Sequence, residues 1–204
     1  MKYYSAWAHG NSAKIETPEN FDSITNFGWG TDVNFRTSNY IIGSGSNSPS
    51  WFHIPIPVNL PLGTFERTYL LSVEILFFAK NVEIIHQDIY DGSKLIHKDH
   101  QEMTGNQLFN KDDLIESIET SEWKRQFGST KGNFYTISLD RPHPVYCGIG
   151  ISFFAHVKYL DGYYPPAEGF ESRLIIASAG ANFKVENLLE RPNIYEKITA
   201  FLEP

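Results

Sequence analysis

Cysteine is nearly missing from this chain of 204 residues. The one thiol, Cys147, cannot close an internal disulfide, and at a strand edge it reads as a small buried hydrophobe rather than a nucleophile. Nothing in the chain asks for an oxidising compartment. Basic residues are short as well. Lysine and arginine number 17 against 24 acids, a formal charge of −7 with a pI near 5.5, whereas nucleic-acid surfaces are built from clustered Lys and Arg. No nucleic-acid partner is expected. Long apolar runs are lacking too: the longest, Tyr69 to Ala79, is broken by Ser72 and Glu74 and falls short of the roughly 20 residues that a membrane span needs. The N-terminus through Asn11 carries one lysine and no apolar stretch, so neither a secretory signal nor a membrane span is expected. The chain reads as cytoplasmic, with leaderless release left open. No Gly-x-Ser-x-Gly elbow, phosphate-binding loop or dinucleotide fingerprint is found, which removes the usual signatures of hydrolases, kinases and dehydrogenases.

Aromatic residues are abundant instead. They make up 15% of the chain, and with 15 Gly and 11 Pro they favour short strands joined by turns over long helices. The clearest strand is Gly148 to Tyr159. Ile149, Ile151, Phe153, Ala155, Val157 and Tyr159 recur at a period of two and predict one buried face. Gly148, Gly150, Ser152, Phe154, His156 and Lys158 fall on the other, which suits a ligand or solvent. His156 is thereby expected to point away from the core, so that His156→Ala costs no more than about 0.5 kcal/mol.

Tyr3 to Ile15 predicts a first strand, and the glycine-rich Phe27-Gly28-Trp29-Gly30-Thr31 a bend with Trp29 packed across it. Trp51-Phe52-His53-Ile54 begins a strand that prolines 55, 57 and 61 confine to a sheet edge or an extended crossing. Tyr69–Phe78 and Val82–Tyr90, separated by Ala79-Lys80-Asn81, read as neighbouring core strands, the second closed by a turn at Asp91-Gly92. Residues 97–131 form a polar excursion with a short helix around 111–123, capped by Asn110. Strands return at Phe134–Leu139 and Arg173–Ala179. A C-terminal extension, 184–204, places Ile194, Ile198, Phe201 and Leu202 on one helical stripe that would cover an end of the sheet. Together these elements predict one domain, 1–204, an all-β antiparallel β-sandwich of jelly-roll type with a C-terminal helix.

Seven separated pieces of the chain occur in a distinctive order: Trp7-Ala8-His9-Gly10-Asn11, Glu16-Thr17-Pro18-Glu19-Asn20, Gly28-Trp29-Gly30-Thr31, Trp51-Phe52-His53-Ile54-Pro55-Ile56-Pro57, Tyr90-Asp91-Gly92, Gly148-Ile149-Gly150-Ile151-Ser152 and Ser178-Ala179-Gly180-Ala181-Asn182-Phe183. In that order they resemble an uncharacterised family of small, single-domain bacterial proteins of unknown function. The resemblance implies a family-wide β fold and supplies no activity.

Three histidine constellations bear on metal chemistry. His86-Gln87-Asp88 with a distant His156 has the residues of a two-histidine, one-carboxylate iron site, since His and Asp two apart on a strand share a side. His97, Asp99 and His100 could hold zinc or nickel but lack a fourth group, and Asp88 with Asp91-Gly92 offers too few acids for calcium. A surface pair, or a solvated loop, is the preferred reading of each. No metal and no cofactor are expected.

Two functions follow from what remains. Trp7, Trp29, Trp51, Tyr90 and Phe154, with Tyr40 and the nearby His9 and His53, supply the aromatic faces and polar donors that bind sugar rings or flat apolar molecules. The plainer alternative is that the tryptophans fill the core. The first expectation is therefore a binding module for a carbohydrate or small hydrophobic ligand, at Trp7, His9, Trp29, Trp51, Tyr90 and Phe154. The alternative is a cofactor-independent isomerase or cyclase for a small apolar metabolite, with His156, His53 or His86 as acid or base. Self-association into a homo-oligomer is left open.

Overall fold

The computed structural model describes residues 2–28, 30–36, 49–60, 65–99, 103–104, 133–158 and 171–188. These residues are all-β, in two antiparallel sheets of six strands each. The first sheet holds β1 (Lys2–His9), β3 (Phe21–Phe27), β4 (Gly30–Phe35), β6 (Glu66–Lys80), β10 (Asn133–Pro144) and β12 (Arg173–Asn187). Its order is β10-β6-β12-β4-β3, with β1 also on β12. The second holds β2 (Lys14–Ile15), β5 (Ser50–Ile56), β7 (Val82–Asp91), β8 (Lys94–Asp99), β9 (Met103–Thr104) and β11 (Ile149–Val157), in the order β2-β5-β11-β7-β8, with β9 also on β7.

Both sheets contribute to one core. Val73, Ile75 and Phe77 of β6 and Leu174, Ile176, Ala179 and Ala181 of β12 are buried with Phe52 and Ile54 of β5 and the alternating set Ile149, Ile151, Phe153, Ala155 and Val157 of β11. Phe52 carries the contact between layers, edge-on to Phe21 of β3 at 5.9 Å and stacked on Phe153 at 5.1 Å. Each of the buried Val, Leu, Ile and Phe side chains among them removes enough apolar surface to stabilise the fold by about 1.5–3 kcal/mol before entropy is counted. Neither tryptophan among the described residues fills this core: Trp7 is exposed and Trp51 half-buried.

Several expectations change in the fold. The segment Tyr3–Ile15 is not one strand, because a 3-10 turn at Gly10–Ser12 carries the chain from β1 in one sheet to β2 in the other. Gly10 fits there because its backbone lies against Ile176, and Thr31 donates its hydroxyl to the Gly10 carbonyl at 3.1 Å. Tyr69–Phe78 and Val82–Tyr90 are not neighbours either. Asn81, at φ 52° in the left-handed region, swings the chain between layers, so β6 and β7 belong to different sheets. Asn81 holds this corner by donating Nδ2 to the Glu171 carbonyl at 2.8 Å and accepting from the Lys158 amide at 2.9 Å.

Three further boundaries move. β12 runs to Asn187, past Lys184 where the extension was expected to begin, and residues 97–99 of the expected excursion complete β8. Cys147 is exposed rather than buried, because Asp91 pins its loop by accepting from the amides of Tyr146, Cys147 and Gly148 at 2.8–3.2 Å. The helix expected around 111–123, the C-terminal helical stripe and Trp29 lie outside the described residues. No helix among those residues is long and apolar enough to cross a membrane.

Candidate functional site

Strands β5, β11 and β7 lie side by side, and pairing of their registers brings outward residues into rows. Ser152 stands opposite His53 on one side and Asp88 on the other; Phe154 stands opposite Trp51 and His86. These side chains point away from the shared core, because paired residues in an antiparallel sheet share a face and Phe153 between them is fully buried. The extra residue Ile85 shifts the register, so that Glu83, three residues before His86, comes opposite the outward His156.

The polar row is hydrogen-bonded across three segments. His53 places Nδ1 at 2.8 Å from Ser152 Oγ and Nε2 at 2.9 Å from Glu16 Oε1. With the proton on Nε2 donated to Glu16, Nδ1 accepts from the serine hydroxyl, and Glu16 fixes the orientation of the ring. Farther along, Tyr90 donates its hydroxyl to Asp88 Oδ2 at 3.3 Å, while the buried Oδ1 of Asp88 has no hydrogen-bond partner among the described residues. The Tyr90 phenol is pushed above its ordinary value first by burial, then by the Asp88 carboxylate, with Glu16 adding to the same effect.

The aromatic row lies one step along the strands. Trp51 and Phe154 are tilted at 56° with ring centres 5.2 Å apart, His86 is stacked 6.4 Å from Trp51, and His53 is stacked at 6.4 Å. Beyond them His156 Nε2 lies 3.4 Å from Glu83 Oε2, and the other oxygen of Glu83 binds Lys158 Nζ.

The face thus brings together Trp51, Tyr90 and Phe154 with His53, His86 and His156. It does not include Trp7 or His9, which lie on β1 in the other sheet. The Trp7 ring covers Gly180, and His9 braces the β3–β4 hairpin through Nε2 at 3.0 Å from the Gly28 carbonyl. Trp29 and Tyr40 are outside the described residues. Among the described residues no three His, Cys, Asp or Glu side chains gather as metal ligands: His156 turns to Glu83 while Asp88 engages Tyr90. His97 borders a separate groove of about 480 Å³ with Arg141 and His143, and His100 lies outside the described residues.

Glu16 is not among the site residues expected from the sequence, Ser152 is expected only as part of the outward face of its strand, and Asp88 enters only as a metal ligand. The two-residue spacing of Ser152, Phe154 and His156, and of His86, Asp88 and Tyr90, was the available signal for two of the strands. Glu16 gave no signal, since it reaches His53 only because β2 pairs with β5. Compared with protein-family models and with curated proteins, the chain matches none.

Proposed function

We infer that the protein is a ligand-binding β-sandwich of jelly-roll type whose outward β5–β11–β7 face takes a carbohydrate or a small hydrophobic molecule. The observation that carries this reading is the Trp51–Phe154 pair, outside the core and directly beside a hydrogen-bonded polar row. Aromatic faces take the apolar side of a sugar ring or a flat ligand, and neighbouring donors and acceptors fix its orientation. A cytoplasmic location and the uncharacterised bacterial family of the seven motifs belong to the same reading. A glycan array and a thermal-shift screen of hydrophobic metabolites, each repeated with Trp51→Ala, test it. Binding that disappears in the variant supports the site; no hit in either screen, or binding untouched by the substitution, removes it.

The Glu16–His53–Ser152 chain favours a second reading, a cofactor-independent isomerase or cyclase in which His53 moves a proton. Glu16 would steady the ring, and the serine hydroxyl would pass or return a proton at Nδ1. Loss of turnover in His53→Gln with ligand binding retained separates this reading from a binder.

A further inference from the structure

Asp88 is buried, 6% exposed, yet only one of its carboxylate oxygens finds a partner. Oδ1 makes no hydrogen bond, and the one at Oδ2 is long at 3.3 Å. An ionised carboxylate withdrawn from water is costly unless a cation or several donors compensate it. The nearest lysine in register, Lys98 on β8 directly opposite, is exposed and makes no ion pair with it. Glu16 adds a second negative charge close enough to act on Tyr90. On the same face His86 lies two residues along β7, about 7 Å away at 3.3–3.4 Å per residue, with Phe154 diagonally beyond it on β11 and Trp51 one strand farther on β5.

We propose that the ligand of this face carries a protonated amine on a ring-shaped body, the ammonium seated on Asp88 beside Tyr90 and the body stacked over Trp51 and Phe154. This rests on the binding function proposed for the same face and adds the charge of the ligand to it. An ammonium replaces the weak phenol contact with charge-assisted hydrogen bonds. A neutral alcohol of the same shape offers one hydrogen bond and no charge. Lys98 stays in solvent, because a lysine on an edge strand loses both hydration and side-chain freedom by folding down onto Asp88.

Matched pairs test the proposal by isothermal titration: D-glucosamine against D-glucose, and phenethylamine against 2-phenylethanol. The expected result is that the amine of at least one pair binds tenfold or more tighter than its neutral partner. Asp88→Asn should abolish that preference by weakening the amine tenfold or more, and keep the melting curve and circular dichroism of the parent. Neutral partners that bind as tightly as the amines, or an amine preference that survives Asp88→Asn, overturn the amine assignment while the binding face stands. If neither member of either pair binds, and the broader screens with Trp51→Ala also find nothing, the binding face falls and the amine assignment falls with it. If those screens find only neutral or acidic ligands, the amine assignment alone is wrong.

Discussion

The backbone of Gly10 rests on the carbonyl of Ile176 so closely that a β-carbon at residue 10 would stand 1.9 Å from the oxygen. Gly30, from the adjoining hairpin, crowds the same carbonyl at 2.3 Å. Backbone cannot step aside as a flexible side chain can. Gly10→Ala is therefore expected to destabilise the protein by about 3 kcal/mol, at the upper end of what overpacking does. Gly28, whose added β-carbon meets nothing within 4 Å, is the control, and Gly28→Ala should stay within about 0.5 kcal/mol. Urea unfolding of the two variants measures the contrast, and equal effects would mean that the β1–β2 crossing is not packed as described.

Asp91 gives the fold an acid-sensitive point. Burial on its own raises this carboxyl, but the amides of Cys147, Tyr146 and Gly148 and the His143 ring outweigh it and hold Asp91 below the usual carboxylate range. A depressed folded-state value means that the stabilisation is complete above the ordinary carboxyl value of about 4 and is lost as pH falls through the folded value. The parent should thus lose more stability than Asp91→Asn between about pH 6 and about pH 3. Chemical denaturation across that range checks the slope; parallel curves for parent and variant would count against the loop pin.

Gln87 is fully buried opposite Phe153, and neither end of its amide meets a hydrogen-bond partner among the described residues. An unsatisfied amide in an apolar core is a penalty of about 1–3 kcal/mol. Gln87→Leu, similar in size, should raise the unfolding free energy by about 1 kcal/mol. A drop in the melting temperature would show that the amide is bonded in solution.

His156 faces away from the core, as the alternation of β11 required, but it does not simply meet water. It leans on Glu83, which is 8% exposed and shared with Lys158. His156→Ala should cost about 1 kcal/mol, above the surface figure of about 0.5 kcal/mol, since a buried carboxylate loses one of its neighbours. A double-mutant cycle with Glu83→Gln isolates the pair, and a zero coupling would return His156 to an ordinary surface position.

Which face each residue of β11 presents was legible from the sequence, as was the turn at Asp91-Gly92, because both depend only on neighbours along the chain. A side-chain period of two is fixed by strand geometry, and Gly92 takes its left-handed φ of 60° without a β-carbon to hinder it. The scarcity of cysteine and basic residues likewise needed no fold to be read. Partnership between strands was not legible. Every strand offers the same backbone donors and acceptors, so nothing local in Glu16, His53, Ser152 or Asp88 announces that β2, β5, β11 and β7 stand in that order. Only closure of one core by both sheets, with Gly10 and Asn81 turning the chain between them, selects those pairings and lines up the polar and aromatic rows. Trp7 and Trp51 look alike in the sequence, and their separation onto different sheets is a decision of that long-range packing.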